Sequence, residues 1–169
     1  MGAIRAILIV AMAAMLTACM GTSLPGGGIA SSGTTYPAVT APSPFTSLMN
    51  NARSAASRGP LVVNSRLTAA AQAHADDMSI NDYFSHTSMD GRSMGDRIRA
   101  TGYSYCWAAE NIAAGQSSQT AVFNDWMASS GHKANMLSAK AKEFGLGHAT
   151  GGSYGDYWVL NLGNPGPSC

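Results

Sequence analysis

Charge is what this sequence has least of. Asp, Glu, Lys and Arg make up 11% of the 169 residues and nearly cancel, ten cations against nine anions. So even a balance gives no field to steer the chain toward nucleic acid or an anionic membrane surface. Nor is it a disordered acidic tail, because 46% of the residues are hydrophobic. There is no internal repeat, no HExxH and no tight Cys/His spacing, so no local motif announces a metal. The apolar run from Ala6 to Met15 is too short for the roughly 20 residues of a membrane-spanning helix.

That run defines the first segment. "MGAIRAILIVAMAAMLTAC" has one early cation, Arg5, then the apolar stretch, then small residues, which is the build of an export signal over residues 1–18. Its ending, Leu16 to Cys19, resembles the lipobox of bacterial lipoproteins, in which the cysteine is acylated. Several acyl chains on Cys19 would anchor the protein to a membrane, the outer one if the cell has two, without spanning it. Removing the leader also removes Arg5 and leaves nine cations against nine anions. Residues 19–43, rich in Gly, Ser, Thr and Pro without an apolar period, read as a tether. The remaining cysteines, Cys106 and Cys169, are expected to pair as a disulfide in an oxidising compartment.

Residues 44–169 read as one folded domain, since a chain of this size buries enough surface for a single core. A first helix opens with Ser43 as cap and Pro44 in its first turn, carries Phe45, Leu48, Met49 and Ala52 on one stripe, and stops by Gly59. A second, over residues 65–79, puts His74 on or beside an apolar face, where a packed, hydrogen-bonded histidine is expected rather than a ligand. A third follows Ser93, which has capping-box spacing to Asp96, and ends at Gly102. A fourth starts near Ser118, with Val122 and Trp126 in one row and Phe123 and Met127 in the next, and is expected to close at Gly131, leaving His132 just beyond its end. The period then changes to two. Phe144, Leu146 and His148 alternate with small residues, and Trp158, Leu160 and Leu162 alternate with Tyr157, Val159 and Asn161, which predicts a hairpin. "NIAAG" is expected to add a third strand, giving an α+β fold with a small antiparallel sheet flanked by helices.

The ionisable residues that stand out are His86 in "YFSHTSMDG", Glu110 in "AAENIAAG" and His132 in "SSGHKANML". Spacing alone leaves open a metal-holding set, a metal-free hydrogen-bonded cluster and three unrelated structural roles. Asn111 and Asn135 are expected to hold backbone, Trp126 to be core, and His148 to be packed or partly exposed.

Taken in order, "PLVVNSRLTAAAQAHADDM", "YFSHTSMDG", "GYSYCWAAENIA", "WMASSGHKANML" and "FGLGHA" resemble the CAP superfamily of cysteine-rich secretory, antigen five and pathogenesis-related proteins, most of all its bacterial SCP-type branch. The resemblance runs from about Phe45 to Leu162. It implies an α-β-α sandwich and a cleft lined by two histidines and two acidic residues. His86, Glu110 and His132 fall on three of those positions. The fourth falls near Ser129, where this chain has no carboxylate. The loss leaves zinc on His86 and His132 compatible with the pattern but not required by it, and no cofactor is demanded. CAP proteins are associated with sterols, fatty acids, metals and contested proteolysis. The expected function is therefore an exported, lipid-anchored binding module of the cell envelope, taking a small apolar ligand, a wall component or a protein partner. Two alternatives stand beside it: a metal-dependent hydrolase with Glu110 as general base, and a structural envelope protein with a vestigial cleft. No evident nucleophile favours an enzyme.

Overall fold

The structure, a computed structural model, describes residues 43–168. The export signal, Cys19 and the tether up to residue 42 lie outside the described residues, and so does Cys169, the expected partner of Cys106.

Helix α1 (Pro44–Ala55) starts as its sequence implies, with the Ser43 hydroxyl accepting from the Thr46 N–H and Pro44 at the first helical position. It stops before Gly59, at Ala56, and Ser57 takes a positive φ of 57°. A two-residue strand β1 (Val62–Val63) leads to α2 (Ser65–Asn81), capped by Asn64 and ended by Asp82 in the left-handed conformation. Helix α3 (Met94–Ala100) carries the expected capping box of Ser93 and Asp96. Strand β2 (Tyr105–Ala114) is twice the length of "NIAAG". Helices α4 (Gln119–Ala128) and α5 (Ser130–Met136) precede the hairpin of β3 (Glu143–Gly151) and β4 (Gly155–Pro165).

The strand order is β1-β3-β4-β2, with β2, β4 and β3 antiparallel and β1 parallel to β3. The sheet is thus mixed, not purely antiparallel, because β1 enters from a helix and not from a hairpin turn. Two helical layers clothe it. On one side Phe45 and Met49 of α1, Val122, Phe123 and Trp126 of α4 and Met136 of α5 pack on Phe144, Trp158, Leu160 and Leu162. On the other, Ala71, Ala75 and Met78 of α2 meet Ile112, Tyr157 and Val159, while Leu67 and Ala70 meet Ile98 of α3. The result is the α-β-α sandwich, each strand feeding alternate side chains to the two layers.

Alternation also explains the small residues of β3. A Cβ on Gly145 would lie 2.0 Å from the Thr68 nitrogen, and one on Gly147 2.4 Å from backbone atoms of Ala71 and Gln72. Helix α2 therefore rests on the bare backbone of β3. Helix α1 is tied differently. Arg53, 2% exposed, donates to the carbonyl oxygens of Gly59, Met136 and Ser138 at 2.8, 2.7 and 3.0 Å.

The fourth helix departs from expectation. It ends at Ala128, Ser129 is extended (φ −90°, ψ 123°), and the chain turns into α5, so Gly131 and His132 lie inside a helix. No stop occurs at Gly131, whose φ is not in the left-handed region that makes glycine a terminator.

Two glycines make opposite predictions. Gly147→Ala forces backbone apart and should cost about 1–3 kcal/mol. Gly131, whose Cβ would meet nothing within 4 Å, should gain about 0.5–1 kcal/mol as Ala. Urea unfolding of both variants measures the contrast.

Candidate functional site

Strand alternation decides which side of the sheet each candidate serves. Glu110 pairs across to Asn161 on the α2/α3 side, and Asn111 pairs with Leu160 on the α1/α4/α5 side. Glu110 and the residues held by Asn111 therefore come from opposite faces. They can approach one another only round β2, which is an edge strand.

On its face Glu110 is surrounded by donors. Arg97 of α3 gives two hydrogen bonds from one nitrogen, 3.1 Å to Oε1 and 2.8 Å to Oε2. His86 Nδ1 lies 2.8 Å from Oε1. Asn161, with its amide oriented nitrogen-first, donates to Oε2 at 3.1 Å and accepts from the Ala71 N–H. The carboxylate is 2% exposed and the guanidinium 3%, so this is a buried, matched ion pair. Arg97 also organises the loop before it, donating from its other terminal nitrogen to His86 O (3.0 Å), Ser88 Oγ (3.2 Å) and Arg92 O (3.1 Å).

His86 lies in that loop and is exposed, 57% at the side chain. An ionised carboxylate only accepts, so Nδ1 carries the proton of this bond. On the other face, Asn111 is fully buried, donates to His132 O at 3.1 Å and accepts from Asn135 Nδ2 at 2.9 Å. Asn111 thus holds backbone as expected, whereas Asn135 bonds a side chain. Together they fix α5 against β2. His132, half-buried, has its pKa lowered by burial first and by the nearby charge of His86 second, so it is neutral at pH 7. Ser129, at the joint of α4 and α5, makes no side-chain cap to α5.

Sequence reasoning located His86, Glu110 and His132 and missed Arg97, Asn161 and Ser88. Arg97 looks locally like Arg99 two residues on. Its only signal is helical phase, since it sits between the buried Gly95 and Ile98. His74 is fully buried, as expected. Its Nε2 donates to Ser85 O at 2.9 Å, leaving Nδ1 without a partner among the described residues. Burial chiefly, then the Arg97 charge, lowers its pKa below the ordinary 6.5. His148 stacks on Trp158 at 3.8 Å and bonds Asp156 at 2.7 Å, away from the candidate histidines. Trp126 is core.

What this arrangement offers chemically is an exposed imidazole at His86 and a half-buried one at His132, with the carboxylate of Glu110 engaged. Glu110 is saturated by Arg97, His86 and Asn161 and is not open to solvent. Among the described residues no group of three or more His, Cys, Asp or Glu side chains could hold a metal ion. The donors present do not fit a resident zinc, which takes three protein ligands even at a catalytic centre. Gly151 to Gly155 spells G-x-S-x-G, yet it forms the β3–β4 turn and not a strand-to-helix elbow, and Ser153 Oγ donates to Asp82 at 2.5 Å.

Residues 46–162 match the family model described as the cysteine-rich secretory protein family, CAP. The chain is 37% identical over 94 residues to the uncharacterized protein YkwD of Bacillus subtilis, a stretch covering 56% of this chain and 37% of that protein. Its fold is similar to an extracellular protein with an SCP domain from Bacillus anthracis (TM-score 0.63, 32% identity, 71% of this chain and 39% of that one). It is also similar in fold to an outer surface protein of Borrelia burgdorferi (TM-score 0.66, 21% identity, 72% and 90% covered). The chain spans less than two fifths of both Bacillus proteins.

Two measurements check the site. Glu110→Gln strands a buried guanidinium and should cost about 3–5 kcal/mol, whereas Glu110→Leu combined with Arg97→Met should cost less than the two single changes added together. Because the folded pKa of His74 is depressed, the unfolded chain takes up its proton first as pH falls. The stability is present above about pH 6.5 and lost progressively below it. His74→Gln should flatten the fall in melting temperature on acidification.

Proposed function

The chain belongs to the cysteine-rich secretory protein (CAP) family in its bacterial form, and from there we propose that it is a binding module of the cell envelope, not an enzyme. In this reading it is exported, acylated at Cys19, and held on a membrane by a tether that lets the folded domain reach a small apolar ligand, a wall component or a protein partner. The observation that carries the reading is the state of Glu110. A general base needs a carboxylate that can meet water and take up a proton. This one is buried and neutralised by Arg97, so the hydrolase alternative lacks its base. What remains reachable is His86, exposed on its loop, with half-buried His132 near enough for its charge to be felt. The Bacillus anthracis relative is described as extracellular and the Borrelia burgdorferi protein as an outer surface protein. Both descriptions support export without reporting on the anchor.

The vestigial-cleft reading is disfavoured by the same geometry. A histidine with no task has no reason to stand exposed on a loop whose conformation three Arg97 hydrogen bonds maintain.

The full chain, supplied with zinc, should turn over neither peptides nor peptidoglycan fragments. Turnover that vanishes in His86→Ala with His132→Ala would replace this proposal with the hydrolase. Palmitate labelling in growing cells should mark the wild type and not Cys19→Ala, and the variant should shift from membrane to soluble fractions.

A further inference from the structure

Tyr105 stands on the unexpected side of β2. From Trp107 onward the odd-numbered residues of the strand pack toward α1, α4 and α5, and the even-numbered ones toward α2 and α3. Tyr105 is odd-numbered, yet it packs with Leu67, Ala70 and Ile98 on the α2/α3 side. A bulge turns it over. Tyr105 lies opposite Pro165 and Trp107 opposite Asn164, so one residue is inserted between them and the alternation slips by one. The re-aimed ring helps to line a cavity of about 280 Å³, whose other walls are Arg99 at the end of α3 and the turn of Gly102, Tyr103 and Ser104.

That turn is held from outside the cavity. Arg66 of α2 donates to Gly102 O at 3.0 Å, the Tyr103 hydroxyl donates to Glu143 at 2.7 Å, and the Gly166 N–H reaches Ser104 O at 3.3 Å. The rings of Tyr103 and Tyr105 are 21° from parallel, with centroids 6.4 Å apart. The Arg99 guanidinium lies 5.1 Å from the centre of the Tyr105 ring, a cation–π contact that keeps it at the cavity. The fold makes little use of the polar groups so placed. The Arg99 side chain is 64% exposed, and Asp96, at 3.7 Å, is beyond hydrogen-bond reach in an exposed pair that contributes little. Among the described residues the guanidinium has no hydrogen-bond partner, and neither has the hydroxyl of Ser104 or of Tyr105.

We propose that this cavity binds a small sugar that carries a carboxylate. A guanidinium fork matches a carboxylate in shape as well as in charge. The two hydroxyls suit a polyhydroxylated ligand, and the tyrosine rings offer flat walls to the C–H face of a sugar ring. The lining has neither an acidic nor an aliphatic side chain, so it is not built for a cation or a lipid chain. Its volume falls just short of the roughly 300–1,000 Å³ of drug-sized sites, which suits one sugar ring with its acidic substituent. The inference rests on the binding-module reading and narrows the wall component to an acidic sugar, recognised at Arg99 and not at His86.

The test is calorimetric titration of the full chain with N-acetylmuramic acid, N-acetylglucosamine and lactate, because the first is the second bearing the third as an ether. N-acetylmuramic acid should bind saturably, and the other two about tenfold more weakly or worse. Arg99→Gln, a change to an exposed side chain, should bring N-acetylmuramic acid down to the level of N-acetylglucosamine. Ser104→Ala should weaken it several-fold, as should raising the salt from low to physiological strength. Arg58→Gln alters an exposed arginine that bonds Leu137 O instead, and should bind like wild type. Absence of saturable binding, equal binding of N-acetylglucosamine or lactate, or affinity unchanged in Arg99→Gln would each overturn the inference. Turnover of peptidoglycan fragments that vanishes in His86→Ala with His132→Ala would sink the proposed function and leave Arg99-dependent binding standing.

Discussion

Burying Glu110 on an edge strand commits the rest of the site to Arg97. An isolated carboxylate at that depth would cost far more than the fold can spare, so a cation has to be delivered to it and held. Helix α3 does the delivering, short as it is, because its capping box fixes where its first turn begins. The guanidinium has donors to spare, and the fold spends them on the loop from His86 to Arg92. The position of His86 is thus a consequence of neutralising a buried charge. His86 is held twice, by its ring to the carboxylate and by its backbone carbonyl to the arginine.

A second constraint is the closeness of α2 to the sheet. Glycines at alternate positions of β3 let the helix backbone sit on the strand backbone, and that height sets how deep Asn161, the neighbour of Glu110 on β4, is covered. The opposite face follows another rule. Large side chains from α1, α4 and α5 fill it, and the one buried amide there, Asn111, is satisfied by α5. The break at Ser129 is what lets α5 turn toward that amide. The two faces of a single strand thereby hold the two halves of the site, and the edge position of β2 is what lets them be neighbours.

Much of this was legible in the residues, for reasons that can be stated. Ser43 with Pro44, and Ser93 with Asp96, are local signals whose physics lies within one turn, and both helices start where they say. The hairpin was legible because its two strands keep a period of two over their whole length. The start of strand β2 is not legible because Tyr105 to Ala109 mix aromatic, cysteine and small residues, each partly buried, with no alternation to mark a strand. The end of α4 is not legible from Gly131, because a glycine terminates a helix only in the left-handed conformation and this one is not in it. The candidate histidines stand out by their local context, but it is the family resemblance, and not spacing, that joins them into one site. Arg97 and Asn161 could come from neither, since what distinguishes them is that both bond the buried Glu110, from distant parts of the chain.

The parallel pairing of β1 joins Val62 to Glu143, and Arg53 of α1 holds carbonyls that arrive at Met136 and Ser138. A chain threaded through a translocon amino end first would present these early pieces long before their partners. Closing so wide a loop is entropically slow. Until β3 has emerged, α1 has neither its floor nor the oxygens that satisfy its arginine. The domain therefore completes itself from the carboxyl side, and a truncation of the last hairpin would be felt first at the other end of the fold, in α1.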